Sequence, residues 1–133
     1  MSIISHGIDL VHCPRIGRIW NDHGERFLNR VYTENERAYC LDCRDPVIPL
    51  SGRFAAKEAT LKTLGTGLRG GLDWRDIETL PDPLGKPLVT LRGQAAELAR
   101  TLGIARILIS ISHSGEYAIA SALGVTDNNS PTH

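Results

Sequence analysis

Residues 51–67 read SGRFAAKEATLKTLGTG, and this stretch decides the fold of the chain. Apolar side chains recur at three- and four-residue steps, which predicts a helix with one face turned to a core. These side chains are Leu50, Phe54, Leu61 and Leu64. Three alanines between them keep the helix surface low, so that another backbone or a ligand can come close. We therefore predict a long central helix that ends at Gly65-Thr66-Gly67.

Glu58 and Lys62 are four residues apart, so a helix places them on one face, one turn from each other. One interpretation is an exposed ion pair worth about 0.3–0.5 kcal/mol. The glycines that follow are likewise typical of an ordinary helix end, and phosphate cradles usually precede a helix rather than follow it. A functional interpretation of this face therefore depends on residues elsewhere in the chain.

Length and composition predict one ordinary globular domain, since the chain has 133 residues of which 41% are hydrophobic and 23% charged. Fifteen basic and fifteen acidic side chains balance, which argues against a nucleic-acid-binding protein. No apolar run approaches the ~20 residues of a membrane span, and the start of the chain does not resemble a secretory signal. We expect a cytoplasmic protein with no membrane or nucleic-acid partner.

The three cysteines are an odd number and a poor disulfide framework. The spacing of Cys40 and Cys43 allows a redox or zinc interpretation. A structural zinc site needs four ligands, and the nearby candidates are only His12 and Cys13. We favour reduced, partly buried thiols.

The first half of the chain predicts a strand over 3–11 and then helices. Asp9 lies near the strand end among apolar neighbours, where a carboxylate is costly unless it is paired, hydrogen-bonded or holding a cation. A helix follows from Pro14 and breaks at Gly24, and a short second piece follows. A capping box over 33–36 opens a third helix to about residue 43, and the prolines up to Pro49 precede the central helix.

The second half predicts a hairpin of strands 77–80 and 87–91, a helix over 94–102, and strands 106–112 and 117–123 joined by a turn over 113–116. Strands at both ends around a helical middle indicate an α+β domain over 1–124, followed by a flexible tail over 125–133. Several strands of so small a sheet would be edges, which homo-oligomerisation can cover.

Asp9 and Glu58 come from separate elements and have a lysine one turn away and a glycine-rich turn beyond it. This combination is typical of a magnesium–phosphate site, because Mg²⁺ takes one or two protein carboxylates, several waters and phosphate oxygens. The lysine would stabilise charge on a diphosphate. The chain has neither a Walker loop nor a dinucleotide fingerprint, which disfavours familiar kinases and dehydrogenases.

Ordered motifs through most of the chain resemble holo-[acyl-carrier-protein] synthase, the short class of 4'-phosphopantetheinyl transferases. The motifs are Gly7-Ile8-Asp9-Leu10-Val11, Arg15-Ile16, Phe54-Ala55-Ala56-Lys57-Glu58-Ala59, Lys62, Gly65-Thr66-Gly67, Asp76-Ile77-Glu78, Gly85-Lys86-Pro87 and Ile109-Ser110-Ile111-Ser112-His113. The resemblance implies a 4'-phosphopantetheinyl transferase-like fold with a small antiparallel sheet and a long central helix. It also implies a homotrimer with active sites between subunits.

The implied reaction moves the phosphopantetheine arm of coenzyme A to a serine of apo-acyl carrier protein and releases adenosine 3',5'-bisphosphate, in fatty-acid or related biosynthesis. The resemblance implies the following roles: Asp9 and Glu58 as magnesium ligands, Lys62 as a catalytic residue beside the diphosphate, Arg53, Gly65, Thr66, Gly67 and His113 around the coenzyme, and Arg15 and Arg26 at the carrier-docking surface. The base that activates the serine is either Glu58 or a water on the metal.

Two positions depart from the family pattern. Ser5 stands where the family usually has a glycine, and His12 stands where it often has an acidic residue. Because His12 replaces an acidic residue, any role for a carboxylate at this position in the outer shell of the metal site is in doubt. Two rival interpretations also remain, namely a non-catalytic binder of carrier protein or coenzyme A, and a thiol-redox module that uses Cys40 and Cys43.

Overall fold

The structure is a computed structural model that describes residues 1–65, 67–68 and 71–127. The elements in chain order are β1 (Ile3–His12), α1 (Cys13–His23), α2 (Glu25–Val31), α3 (Glu34–Leu41), α4 (Val47–Leu64), a short 3₁₀ turn (Trp74–Asp76), β2 (Ile77–Pro81), β3 (Pro87–Leu91), α5 (Gly93–Leu102), β4 (Arg106–Ser114) and β5 (Tyr117–Val125). The predicted α+β class and the order of elements are confirmed.

Helix α4 is the centre of the fold and packs against β1, β4, β5, α1 and α3. It is buried around most of its circumference rather than along the one face that the sequence predicts, since Ser51, Lys57 and Thr60 lie inside with the leucines. Phe54 stays partly exposed and stacks on Trp74 at 5.1 Å between ring centroids. Other elements cover this helix on several sides, so its sequence does not show the regular alternation of apolar and polar positions that identifies a surface helix.

The start of α4 corrects one prediction. The helix begins at Val47, so Pro49 is its third residue and does not lie before it. The first N–H groups of a helix have no intrahelical acceptor, and the missing N–H of a proline is therefore tolerated there.

A three-stranded antiparallel sheet has the order β1-β5-β4, which leaves β1 and β4 as its edges. The alanines of β5 that face α4 (Ala118, Ala120 and Ala122) are fully buried, which lets the helix lie close to the sheet. The opposite side of the sheet carries apolar side chains, of which Ile8 is 54% and Leu10 60% exposed. We call this surface the outer apolar face; it comprises Ile8, Leu10, Leu108, Ile119 and Leu123.

Strands β2 and β3 form the predicted hairpin as a separate two-stranded sheet, in register from Ile77 opposite Leu91 to Pro81 opposite Pro87. The predicted capping box is also present at the start of α3. Its threonine hydroxyl accepts from the Glu36 N–H at 3.1 Å, and its backbone N–H donates to the Glu36 carboxylate at 2.9 Å. Helix α3 ends at Leu41, two residues before its expected end.

The predicted turn after β4 is placed too early. His113 and Ser114 still belong to the strand, and Gly115 and Glu116 make the turn. Strand β5 runs to Val125, and the Thr126 N–H donates to the carbonyl of residue 2 at 2.8 Å, so pairing continues past the expected domain end at 124. The last residues of the expected tail, 128–133, lie outside the described residues, as does position 66.

The three cysteines are free thiols, with Cys13 and Cys40 buried and Cys43 partly buried. Burial raises the pKa of the Cys40 thiol to about 12, which keeps it protonated and unreactive. None of the helices in the described part of the chain has both the length and the apolar character needed to cross a membrane. The cytoplasmic location stays a prediction from the sequence.

Candidate active site

Gly7 lets strand β1 lie directly on helix α4. A Cβ atom at Gly7 would stand 2.3 Å from the carbonyl oxygen of Ala59, 2.9 Å from the Cβ of Lys62 and 2.9 Å from the hydroxyl of Thr63. Side chains two residues apart on a strand share a face, so Asp9 also faces the C-terminal half of α4. The missing side chain at position 7 thus brings the Asp9 carboxylate to the face of α4 that carries Lys62.

Lys62 pairs with Asp9 rather than with Glu58, the partner that helix spacing alone suggests. Its Nζ atom lies 3.1 Å from Oδ1 of Asp9 and 2.9 Å from the carbonyl oxygen of Ile8. The Lys62 side chain is 53% exposed and that of Asp9 16%. A half-exposed ammonium group therefore contacts two oxygens of β1, one of which belongs to the largely buried Asp9 side chain.

Glu58 completes this cluster. Burial raises the pKa of its carboxyl group, the negative charge of Asp9 raises it further, and the charges of Lys62 and Arg15 oppose both effects. Two carboxylates and two cations therefore influence one another at the meeting of β1, α1 and α4.

An open cleft of about 500 Å³ adjoins the cluster at the β1 edge of the sheet and is lined by Ile8, Asp9, Leu10, Lys62 and Ile119. The donor set fits Mg²⁺, because Asp9 and Glu58 offer hard carboxylate oxygens and the oxygens of β1 already hold a positive ammonium group. Among the described residues no group of three or more His, Cys, Asp or Glu side chains could hold a metal ion. A cation here would take its other ligands from water or from phosphate, as Mg²⁺ commonly does.

The glycines after α4 lie at the same end of the helix. Gly65 adopts the left-handed conformation at φ 84°, and its N–H donates to the carbonyls of Leu61 and Lys62 at 2.9 and 3.1 Å. Gly67 also has a positive φ of 60°, whereas the predicted coenzyme-binding Thr66 lies outside the described residues. The N–H of Gly65 is thus used by the helix end itself.

Two other predicted coenzyme residues lie near the opposite end of α4. Nε2 of His113 is 3.1 Å from the carbonyl oxygen of Ile48, and a Cβ at Gly52 would meet the His113 ring at 3.3 Å. Arg53 is 7% exposed, its Nε donates to the carbonyl of Thr79 at 3.3 Å, and its guanidinium lies 4.6 Å above the ring of Tyr39.

The helical rise separates position 52 from position 62 by about 15 Å along the axis. Within one chain, His113 therefore lies far from the cluster of Asp9 and Lys62.

The two predicted docking arginines lie on neighbouring helices. Arg15 is exposed on α1, and its charge reaches Glu58. Arg26 is exposed on α2 and lines a groove of about 280 Å³ together with Ile19, His23, Phe27 and Arg30. Positive charge thus extends from the groove toward the cluster.

A buried ion pair next to the cluster is absent from the sequence predictions. Nζ of Lys57 lies 2.8 Å from Oε1 of Glu36, and both side chains are fully buried. The ammonium also donates to the carbonyls of Trp74 and Ile77, while the other Glu36 oxygen accepts from the Thr79 N–H at 2.8 Å. The sequence feature that points to this buried pair is a lysine that lies within a run of alanines.

The two departures from the family pattern have structural counterparts. His12 does not face a carboxylate of the cluster; its Nε2 lies 3.3 Å from Glu116, and its ring lies 5.1 Å from that of Tyr117. Ser5 lies at an irregularity in the register between β1 and β5.

We predict that Gly7→Ala destabilises the fold by about 1–3 kcal/mol or more, because the new methyl group meets a helix carbonyl that cannot move independently of α4. The control is Gly17→Ala in α1, where the added Cβ finds ordinary contacts at 3.7 Å and helix propensity favours alanine by about 0.5–1 kcal/mol. Urea unfolding measures both free energies. Equal stability of the two variants would contradict the proposed close packing.

Comparison with known proteins agrees with the family resemblance. Residues 5–122 match the model of the 4'-phosphopantetheinyl transferase superfamily. The holo-[acyl-carrier-protein] synthase of Koribacter versatilis is 44% identical over 121 residues, which cover 91% of this chain and 97% of that protein.

Solved structures agree as well. The Neisseria meningitidis holo-[acyl-carrier-protein] synthase superposes with a TM-score of 0.86 at 33% identity, covering 94% of this chain and 100% of that one. The Helicobacter pylori enzyme, solved in complex with coenzyme A, superposes at 0.79 with 31% identity, covering 90% and 99%. This chain therefore belongs to the 4'-phosphopantetheinyl transferase superfamily and, within it, to the holo-[acyl-carrier-protein] synthases.

Proposed function

We propose that this protein transfers the 4'-phosphopantetheine group of coenzyme A to a serine of apo-acyl carrier protein in a Mg²⁺-dependent reaction. The products are holo-carrier and adenosine 3',5'-bisphosphate, and the pathway is fatty-acid or related biosynthesis. The observation that carries the proposal is the contact of Lys62 with Asp9. The charge of Asp9 also acts on Glu58, whose pKa is raised mainly by burial. The names of the relatives and the coenzyme complex of the Helicobacter pylori enzyme support the same substrates.

Asp9 and Glu58 are the proposed ligands of Mg²⁺, which when bound would neutralise charge on the diphosphate. Lys62 has a long, half-exposed side chain that reaches across the cleft, so its ammonium is placed to bind the same diphosphate. Gly65, Thr66 and Gly67 form the proposed coenzyme-binding turn beyond it. This assignment is based on the position of Gly65, about one helical turn after Lys62.

The proposed step is an attack by the serine Oγ of the carrier on the β-phosphorus of coenzyme A. A new O–P bond forms and the bond to the bridging oxygen of the diphosphate breaks, so adenosine 3',5'-bisphosphate leaves with that oxygen. The serine proton passes to the carboxylate of Glu58 or to a water at the site.

We propose that three copies assemble so that His113 of one subunit approaches the cleft of a neighbour, while Arg53, which is 7% exposed, stays inside its own chain. Within one chain these residues lie toward the other end of α4, about 15 Å along the helix from Lys62. The outer apolar face continues into the cleft, since Ile8, Leu10 and Ile119 belong to both. An apolar surface of this kind next to an incomplete polar site is typical of an interface.

We predict that Leu10→Asp converts the trimer to smaller species and lowers transfer with it. The side chain is 60% exposed in one chain, and burying a leucine contributes about 1.5–3 kcal/mol that a carboxylate would forfeit. Leu84→Asp at the hairpin tip, where the leucine is 95% exposed, is the matched control. Light scattering after size-exclusion chromatography gives the masses. A trimeric Leu10→Asp variant, or an active wild-type monomer, would contradict this assembly.

The groove between α1 and α2 is the proposed docking site of the carrier. Arg26 and Arg30 flank apolar Ile19 and Phe27, which suits a helix that combines acidic and apolar side chains. Arg15 lies between this groove and Glu58, so it would guide the serine toward the cluster.

Arg26→Ala is expected to raise the KM for apo-carrier about two- to fivefold at low salt and to leave the KM for coenzyme A unchanged. The difference from wild type should shrink as salt screens the charges. Arg100→Ala, which removes an exposed arginine of α5, is the control. Steady-state kinetics at two salt concentrations make the test, and an equal change for both substrates would count against docking at this groove.

The direct test of the function is mass spectrometry of several apo-carriers incubated with the protein, coenzyme A and Mg²⁺. The expected result is a mass gain of one phosphopantetheine on the reactive serine, which disappears when a chelator is added. No gain on any carrier would instead favour a protein that binds carrier or coenzyme without transfer.

A further inference from the structure

We infer that the Lys62 ammonium is a stand-in cation, which neutralises Asp9 when no divalent ion is present and moves to the coenzyme diphosphate when an ion takes its place. This inference rests on the proposed function. It links the binding of the ion to the binding of coenzyme A, because one side chain serves either the carboxylate or the diphosphate.

The contacts of Lys62 are those of a small cation. Its Nζ atom bonds a carboxylate oxygen of Asp9 at 3.1 Å and a backbone carbonyl oxygen of Ile8 at 2.9 Å, and both are oxygens of the kind that a hard divalent cation prefers. The Asp9 carboxylate is 16% exposed and lies in the field of Glu58, so leaving it without a cation would be costly. The ammonium removes that cost in the absence of metal.

The same ammonium is able to leave. The Lys62 side chain is 53% exposed, its stem is flexible, and an ammonium has three donors, of which two are engaged here. Ion pairs with one exposed partner are weak, so a divalent ion can displace this one easily. The buried pair of Lys57 with Glu36 contrasts with it, because both of its partners are fully enclosed.

A coupling between the two ligands follows. Coenzyme A draws Lys62 toward its diphosphate and thereby frees Asp9 for the ion, and the ion in turn releases Lys62 for the diphosphate. The two affinities must rise by the same factor, because coupling between binding sites is reciprocal.

The test is Mn²⁺ binding, followed through the EPR signal of the free ion, with and without saturating coenzyme A and with no carrier present. Lys62→Met is expected to bind Mn²⁺ about two- to fivefold more tightly than wild type without coenzyme. The gain in Mn²⁺ affinity that coenzyme A produces should fall by about the same factor. Lys62→Arg keeps the charge and should stay close to wild type.

Lys86→Met is the charge-matched control, since it removes an exposed lysine from the hairpin loop. Thermal unfolding checks that every variant is folded. Unchanged Mn²⁺ affinity in Lys62→Met, or equal tightening in Lys62→Arg or Lys86→Met, would overturn the stand-in role while wild-type transfer still upheld the proposed function. A wild-type protein that neither binds Mn²⁺ nor transfers would overturn both.

Discussion

Glu58→Gln is expected to lower the rate of phosphopantetheine transfer by about 10²–10⁴-fold and to leave the protein folded. The amide keeps the shape of the side chain but removes the charge that we propose binds the metal ion and accepts the proton. Both losses act at the step in which the serine is activated and the diphosphate is neutralised. Initial rates by mass spectrometry, at saturating Mg²⁺ and coenzyme A, measure the effect.

The stability of this variant separates a functional role from a structural one. Burial and the charge of Asp9 raise the pKa of Glu58 in the folded protein, so the ionised carboxylate is less favourable there than in the unfolded chain. A carboxyl group whose pKa is raised by folding stabilises the folded protein at low pH. This stabilisation is lost as the pH rises through the pKa that the group has in the folded protein. At pH 7 and without metal, Glu58→Gln should therefore unfold at the wild-type temperature or slightly above it.

Glu97→Gln is the matched control, because Glu97 is an exposed glutamate of α5 whose partner is Arg100. It should retain wild-type transfer. Wild-type turnover in Glu58→Gln would contradict the assignment of Glu58, and lost activity together with lost stability would mean that the carboxylate is structural.

The sequence predicts the fold well where the signal is local. The capping box at Thr33, the break at Gly24 and the hairpin loop each depend on a few adjacent residues, and all three appear where expected. The sequence predicts element ends less accurately, because tertiary contacts help to set them. Pairing with β5 prolongs β4 through Ser114, and the tolerance of a proline in the first turn of a helix lets α4 begin at Val47.

The sequence predicts the candidate cluster only in part. Helix spacing places Glu58 and Lys62 on one face, and the cost of a carboxylate among apolar neighbours singles out Asp9. The partner of Lys62 was not predictable, because it depends on the close approach that Gly7 allows between distant segments. The position of His113 beside Gly52 likewise depends on how β4 crosses α4.

The pair of Lys57 and Glu36 is the largest omission, and Lys57→Met is expected to destabilise the protein by about 3–5 kcal/mol. Methionine fills most of the space of the lysine but leaves the Glu36 carboxylate buried without its ammonium partner. It also removes the ammonium donor from the carbonyl of Ile77 and from that of Trp74, which keeps the N–H of Ile77 as a donor. Since a domain of this size is stable by about 5–15 kcal/mol in total, the loss is a large share. Urea unfolding of variant and wild type gives the difference.

Lys57→Met combined with Glu36→Gln distinguishes an unpaired charge from lost packing. The double variant carries neither charge of this pair, so it should be more stable than Lys57→Met alone, and the two changes should couple strongly in a double-mutant cycle. Lys86→Met removes a lysine from the exposed hairpin loop and should change stability by less than about 0.5 kcal/mol. If Lys57→Met were as stable as Lys86→Met, the buried pair would not be what holds α4 against α3 and β2, and the other packing of α4 would set its position.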